Sequence, residues 1–362
     1  MNWNKTRSIY YLKNLEKIKN KIASFDLDHT LIKPLNKRVH PKDVNDWAPC
    51  FDNIKEKLNY FYKNDFSLVI FSNQSSFNNP DRQKIIIARI DKFLEYINLP
   101  FHIFISTEND FCRKPNTGIW DTFFENKEIN MKESFYVGDA AGRIKNPVTN
   151  KKDFACSDRM FAKNVGLKFY TPEDIFKPVS FKQIFKIKKT WETFENIDQA
   201  TNKIINDSVK VFNVVILLGA PASGKTNFAE DLKDFIHISQ DLLKYKKNCL
   251  KLMKETLKNK GRVVIDNTHS NVKSREPYLD LAKKYNEKVL CIFIDINKEQ
   301  SMFLNNFRCK LTKKIKLQDV VIHTFFKKFE APLKKEGIEK IIKKGFTPDF
   351  TKYNETLFKQ YF

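Results

Sequence analysis

The chain has 362 residues, and none of its apolar runs approaches the ~18–20 residues that a membrane span needs. The longest, Val214 to Ala220 and Val289 to Ile294, are strand-sized. The opening stretch, MNWNKTRSIYYLKNLEKIKNK, lacks both the apolar core and the small-residue cleavage site of a secretory signal. A membrane-spanning class is thereby excluded and an intracellular protein is expected, in the nucleus or, for a viral chain, the host cytoplasm. Cysteine pairing is missing too. Cys50, Cys112, Cys156, Cys249, Cys291 and Cys309 are scattered with no CxxC pair, which argues against a zinc site or a thioredoxin-like motif and for reduced, mostly buried thiols. Negative charge is scarce: 43 acidic residues face 65 basic ones, a net charge of +22. That balance favours a polyanionic partner such as nucleic acid. Charge alone leaves a second source open, because the chain is also rich in Asn, Ile and Phe and a compositional bias raises Lys without any binding role.

What is present is an ordinary globular composition, 41% hydrophobic, and a length that suits two domains. In the first half, strand candidates at Ile22–Leu27, Ser67–Phe71, Phe101–Ile105 and Ser134–Val137 alternate with helical stretches at Phe51–Tyr62 and Asp81–Asn98. In the second half, Asn213–Leu218, Phe235–Ile238, Arg262–Ile265 and Lys288–Ile294 read as strands with helical segments between them. This alternation predicts parallel sheets covered by helices. Between the halves, 177–210 is polar and basic with interspersed aromatics, and reads as a linker or interdomain helical segment.

The first strand delivers Asp26, Leu27, Asp28, His29 and Thr30. Period-two geometry places Asp26 and Asp28 on one side of an extended chain. Two such carboxylates repel unless a cation such as Mg²⁺ lies between them. One carboxylate can then attack phosphorus and form an aspartyl-phosphate, while the other protonates the leaving oxygen and later activates water. A lone DxDxT is also met as a solvated acidic turn. Later strand ends add Ser72 and Asn73, whose hydroxyl and amide suit a phosphate oxygen. They also add Lys114, which can neutralise charge, and Asp139 after Gly138, a further oxygen ligand for Mg²⁺. Four such features in order along one sheet edge, where ligands of open α/β sheets bind, form a specific pattern.

The second half holds Gly219-Ala220-Pro221-Ala222-Ser223-Gly224-Lys225-Thr226, a complete GxxxxGK[ST] between a strand and a helical stretch. Its backbone N–H groups and the following helix suit anionic phosphates. Lys225 would meet the β- and γ-phosphates of ATP, and Thr226 would help hold Mg²⁺. Asp241, opening a helix after Phe235–Ile238, could take the proton of an acceptor hydroxyl or cap that helix. The strand Arg262–Ile265 ends in Asp266-Asn267-Thr268, a Walker-B-like acidic end or plain turn chemistry. Arg308, in the basic segment Asn306–Lys316, could stabilise a transferring phosphoryl group or be surface charge.

The order Asp26-x-Asp28-x-Thr30, Ser72, Lys114, Gly138-Asp139 resembles the haloacid dehalogenase superfamily of phosphatases. The longer strings FSNQ (Phe71–Gln74), RKPNTGIW (Arg113–Trp120), YVGDAAGR (Tyr136–Arg143) and KKDFACSDRMFAKNVGL (Lys151–Leu167) resemble the phosphatase domain of eukaryotic-type polynucleotide kinase 3′-phosphatases. VVIDNTHSNVKSREPYL (Val263–Leu279) and KKFEAPLKKEGIEKI (Lys327–Ile341) resemble the kinase domain of the same enzymes. The resemblance implies Asp26 as nucleophile, Asp28 as general acid and base, Asp139 as metal ligand, and Ser72 and Lys114 as phosphate-binding residues. It gives Asp153 and Asp158 supporting roles. In the kinase it implies Asp241 as general base and Arg308 as lid arginine, and leaves the role of Arg275 open. The chain departs from the family at Asn306, where a second lid arginine is usual.

The expectation is thus an α/β protein of two domains, each a mostly parallel sheet with helices on both faces. A haloacid dehalogenase-like 3′-phosphatase over 21–176 precedes a P-loop 5′-hydroxyl kinase over 211–362. A basic extension over 1–20 comes before them and the linker over 177–210 lies between. Mg²⁺ is expected on Asp26, Asp28 and Asp139 in one domain and with Thr226 in the other, with ATP as phosphoryl donor. The expected partner is nucleic acid, DNA ends before RNA ends, in an end-repair role. A monomer is expected, with no partner bound through a forkhead-associated domain, since too few residues precede the first motif to form one. The alternative is a single-function 3′-phosphatase whose kinase domain is inactive or only binds nucleotide and nucleic acid.

Overall fold

The computed structural model describes residues 3–13, 17–35, 41–145, 152–177, 188–194 and 199–362. The chain folds into two compact units, one of Met1–Lys188, Cys309–Lys316 and Gln360–Phe362, the other of Lys189–Arg308 and Leu317–Lys359.

The first unit is built on strands β1 (Asn4–Thr6), β2 (Ile9–Leu12), β3 (Lys21–Phe25), β6 (Phe66–Asn73), β7 (Phe101–Ser106), β8 (Phe135–Val137) and β9 (Lys168–Tyr170). A small ribbon, β4 (Ile32–Lys33) with β5 (Ala48–Pro49), stands apart from them. The large sheet runs in the order β1-β2-β7-β6-β3-β8-β9, parallel from β7 to β9. Residues 4–12, expected as part of a basic extension, supply its antiparallel edge. Of that extension, residues 1, 2 and 14–16 lie outside the described residues. Alternation along the strands explains the two cores. Ala23, Phe25, Leu68 and Ile70 point to one face, and Ile22, Val69 and Phe71 to the other. Helices α1 (Ile54–Lys63), α2 (Pro80–Ile97), α3 (Gly118–Phe123), α4 (Ser157–Val165) and α5 (Pro172–Phe176) complete the unit. Helix α2 starts cleanly because the Asn79 side chain accepts from the N–H groups of Asp81 and Arg82, with Pro80 in the first turn.

The second unit is a wholly parallel sheet of β10 (Val214–Gly219), β11 (Ile236–Ser239), β12 (Val263–Asp266), β13 (Val289–Ile294) and β14 (Lys340–Lys344), in the order β11-β12-β10-β13-β14. It carries α6 (Gln199–Val211), α7 (Lys225–Asp231), α8 (Gln240–Leu243), α9 (Lys246–Lys258), α10 (Val272–Lys284), α11 (Lys298–Thr312), α12 (Asp319–Lys328) and α13 (Glu355–Phe358), although α11 ends in residues of the first unit. Helix α6, except its last residue, falls within the expected linker, of which 178–187 and 195–198 lie outside the described residues. In both units the chain reverses its direction of travel across the sheet beside a central strand, β3 or β10, so loops diverge there and leave a crevice at the strands' C-terminal ends. Among the described residues no helix is long and apolar enough to cross a membrane.

Candidate active sites

Asp26 follows β3 directly, its N–H donating to Val137 O of β8 at 2.8 Å. The Lys114 ammonium is the hub of the surrounding cluster. It donates to Asp26 Oδ1 at 2.7 Å, Asp158 Oδ1 at 2.8 Å and the Tyr136 hydroxyl at 2.6 Å. All three ammonium hydrogens are thereby used, and Lys114 itself is only 4% exposed. Asp158 accepts further from the Tyr136 hydroxyl at 3.0 Å and from Ala140 N–H at 3.0 Å. Gly138 makes this approach possible, since a Cβ there would stand 2.5 Å from the Asp158 side chain. Asp139 is fixed through Thr30, whose hydroxyl accepts from Asp139 N–H at 3.1 Å. Buried Arg143 braces the same loop, donating to Asp139 O at 3.0 Å, Asp153 at 2.8 Å and Glu173 at 2.7 Å.

Carboxylate oxygens of Asp26, Asp139 and Asp158 lie within 4.8 Å of one another. Burial pushes the Asp26 carboxyl up to about 7, with Lys114 opposing and Asp158 adding. Burial, then Asp158 and Asp26, hold Asp139 well above the usual carboxylate range. Burial works against the Lys114 ammonium, but Asp158 and Asp26 outweigh it and keep it protonated. Three crowded carboxylates with one ammonium leave negative charge unbalanced, which fits a hard divalent cation such as Mg²⁺.

The Asp28 carboxylate, expected as a metal ligand, is outside this cluster. Its partners are Gln74 Nε2 at 2.5 Å and Arg89 at 3.4 Å. Asp158 is the third member of the cluster. The Asn73 amide, expected on phosphate, also bonds the Lys114 backbone. Its Nδ2 donates to Lys114 O and its Oδ1 accepts from Lys114 N–H, both at 3.0 Å. Ser72 is buried at the end of β6, its hydroxyl 3.0 Å from Gln74 Nε2.

In the second unit, Gly219 to Thr226 joins β10 to α7. Gly224 (φ +90°) faces the Phe346 ring, 3.1 Å from where a Cβ would stand, so its conformation favours glycine and a Cβ would press on the ring. Within the loop, Ala220 is buried and Ala222 is left-handed (φ +61°), while the Pro221 carbonyl accepts from the Ser301 hydroxyl at 2.7 Å. The Lys225 ammonium donates to Gly219 O at 3.0 Å, Ala220 O at 2.7 Å and Ser223 Oγ at 3.3 Å. Burial pushes it down to about 8, with Asp266 and Asp241 opposing and Arg308 adding, so these charges share one neighbourhood. The Thr226 hydroxyl donates to Asp266 Oδ2 at 2.8 Å, and His237 Nε2 is 3.2 Å from the same oxygen. Asp266 therefore engages the loop rather than a turn of its own. Ser239, not Asp241, caps α8, accepting from Asp241 N–H at 3.2 Å and leaving Asp241 exposed at the helix start. Arg308 is exposed on α11, 3.2 Å from Asn305, while the Asn306 amide donates to Met302 O of its own helix at 3.1 Å. Arg275, whose role was open, is fully buried and clamps Glu336 at 2.8 and 2.9 Å and the His269 carbonyl at 2.9 Å. It braces the loop that follows Asp266.

Sequence reasoning did not single out Gln74, Arg89, Tyr136 or His237 as site residues. Gln74 and Tyr136 lie inside the motif strings, but neither side chain advertises its partner. Arg89 sits in mid-helix, 61 residues from Asp28.

The sequence model of the family described as polynucleotide kinase 3 phosphatase matches residues 21–176. The bifunctional polynucleotide phosphatase/kinase of Schizosaccharomyces pombe is 33% identical over 355 residues, covering 94% of this chain and 83% of its own length. A relative from Acanthamoeba polyphaga mimivirus is 31% identical over 389 residues, covering 94% of this chain and 89% of its own. A polynucleotide 3′-phosphatase of Arabidopsis thaliana is 36% identical over 179 residues, 44% of this chain and 24% of its own. With similarity running through both units, the chain belongs to the bifunctional polynucleotide phosphatase/kinase family.

Proposed function

We propose that this chain removes 3′-phosphates from polynucleotide ends and phosphorylates 5′-hydroxyl ends with ATP, leaving the termini a ligase joins. The observation that carries this reading is the pair of separate sites in one chain, Asp26 with Lys114 in one unit and Lys225 with Thr226–Asp266 in the other. In the first, an Asp26 oxygen attacks phosphorus, the bond from phosphorus to O3′ breaks, and Asp28 gives its proton to O3′. Asp28 then takes a proton from water, whose oxygen attacks the aspartyl-phosphate and restores Asp26. Lys114 offsets charge on the phosphoryl oxygens, and Ser72 lines their site. Mg²⁺ would be held by Asp26, Asp139 and Asp158, and supplies neutralisation of carboxylate and phosphoryl charge.

In the second site, the loop from Gly219 to Thr226 cradles the ATP phosphates. Asp241 takes the proton of the 5′-hydroxyl, and Arg308 stabilises charge on the γ-phosphoryl group as it moves. Mg²⁺ would be held at Thr226 and Asp266. The net charge of +22 suits a phosphate backbone, and binding weakens as salt rises. DNA ends are the first substrate class to try and RNA ends the second.

The test is a nicked duplex with a 3′-phosphate and a 5′-hydroxyl, each end read separately, with Mg²⁺ and with or without ATP. Asp26→Asn abolishes 3′-phosphate loss and spares 5′-phosphate gain; Asp241→Asn does the reverse. If either variant loses both activities, the two sites are not independent. The second reading, a single-function phosphatase, is favoured by Asn306, which brings no charge to the lid. Loss of the 3′-phosphate with no 5′-phosphate gain selects it.

A further inference from the structure

We infer that Gln74 and Arg89 are positioning residues that clamp the Asp28 carboxylate in its proton-transfer orientation; this rests on the reading of Asp28 as acid and base. Each Asp28 oxygen is tied to a different element. Gln74, just past β6, donates to Oδ2 at 2.5 Å and also reaches Ser72 Oγ at 3.0 Å. Arg89, from the middle of α2, places its two terminal nitrogens 3.5 and 3.4 Å from Oδ1. The carboxylate cannot rotate without leaving both partners.

The position of Arg89 is otherwise hard to account for. The buried face of α2 is Ile86, Ile90, Phe93, Leu94 and Ile97, and Arg89 is the charged member of that face. It is 2% exposed, and its Nε has no hydrogen-bond partner among the described residues. A guanidinium withdrawn from water and left partly unpaired is costly, and an aliphatic residue would pack there without that cost. Its ion-pair partner among the described residues is Asp28. The Asp28 side chain keeps 32% of its surface, so it faces the crevice on one side and the clamp on the other. Orientation matters because the proton must reach O3′ as the bond from O3′ to phosphorus breaks and the bond from Asp26 to phosphorus forms. Fixing the donor removes a rotational search at that moment.

The experiment uses the full chain with Gln74→Leu, Arg89→Gln, Arg89→Lys and, for reference, Asp28→Asn. Two 3′-phosphorylated oligonucleotides are compared, one with the natural bridging oxygen and one with sulfur in its place, whose thiolate leaves without a proton. Gln74→Leu and Arg89→Gln are expected to slow phosphoenzyme formation from the oxygen substrate by roughly 10–100-fold at unchanged KM, part of what general acid catalysis is worth. The sulfur substrate is expected to change by less than about 3-fold, and Arg89→Lys, which keeps the charge, to fall between wild type and Arg89→Gln. Urea unfolding of each variant, followed by a probe in the phosphatase unit, reports that this unit is folded as in wild type. Equal losses on both substrates, or a loss carried by KM, would overturn the clamp and assign these residues to phosphate binding or to the fold. If Asp28→Asn itself slows both substrates equally, it is the acid–base reading of Asp28 that fails, whatever the clamp variants do.

Discussion

Replacing Lys114 by Met tests the electrostatics of the phosphatase site most directly. The substitution keeps an unbranched stem and removes the ammonium with its three short bonds to Asp26, Asp158 and Tyr136. What remains is a group of carboxylates within 4.8 Å of one another and no cation between them. Breaking a buried ion pair by deleting one partner costs about 3–5 kcal/mol, because the other charge stays buried and uncompensated. The cost depends on pH in a defined direction. Without Lys114, the chief influence that lowers Asp26 is gone, and its carboxyl rises further above its unfolded value of 3.8. A carboxyl with a raised folded pKa binds more protons folded than unfolded, so the fold gains stability as pH falls. The destabilisation is therefore largest above neutrality and shrinks in acid. The assay is urea unfolding of wild type and Lys114→Met at about pH 8 and about pH 5.5, with the phosphatase unit followed by its own probe. Phosphatase activity is expected to be lost at both pH values and kinase activity kept. An unfolding penalty that is the same at the two pH values would mean that only packing was lost, and the charge argument would fail.

Other outcomes follow from the same structure. Burial, with Arg275 adding, pushes the His269 imidazole from 6.5 down to about 3, so the unfolded chain takes up a proton that the folded one refuses. Kinase-unit stability is full above about pH 6.5 and falls below it by up to about 1.4 kcal/mol per pH unit; His269→Asn flattens that slope in urea titrations. Lys225 titrates near 8 in its buried loop, and anionic phosphates raise it. ATP binding slightly above that pH is then accompanied by proton uptake, seen by calorimetry in buffers of different ionisation enthalpy, and uptake vanishes at pH 6 where the lysine is already charged. Gly138→Ala drives a Cβ to 2.5 Å from Asp158, costs about 1–3 kcal/mol in thermal or urea unfolding, and impairs the phosphatase while sparing the kinase.

The sequence alone carried what is local or repeated. Strands β3, β6, β7, β10, β12 and β13 are covered on both faces, so they read as continuous apolar runs, and their alternation with helices already implied two parallel sheets. Strands β1, β2, β9 and β14 escaped, because short or edge strands such as Asn4–Thr6 and Lys340–Lys344 are only partly buried and keep charged residues. The glycine-rich loop between β10 and α7 was legible because Gly224, Lys225 and Thr226 are contiguous, and backbone geometry dictates their spacing. Asp26 and Asp139 stood out as residues just past strand ends, which the order of strands brings together, and Lys114 joins them from the loop between β7 and α3. Only the tertiary structure decided what those side chains touch. An amide at Asn73 suits a phosphate or a backbone equally well, and only the folded chain shows the Lys114 backbone passing within reach of it. Asp158 joined the carboxylate cluster, and Asp28 left it for Gln74 and Arg89, through contacts made by packing α2 and α4 against the sheet. Thr226 found Asp266 across 40 residues because β10 and β12 are neighbours in register. Residue type limits the chemistry a side chain can perform, and the partner it meets, which is a property of the packed chain, selects among the possibilities.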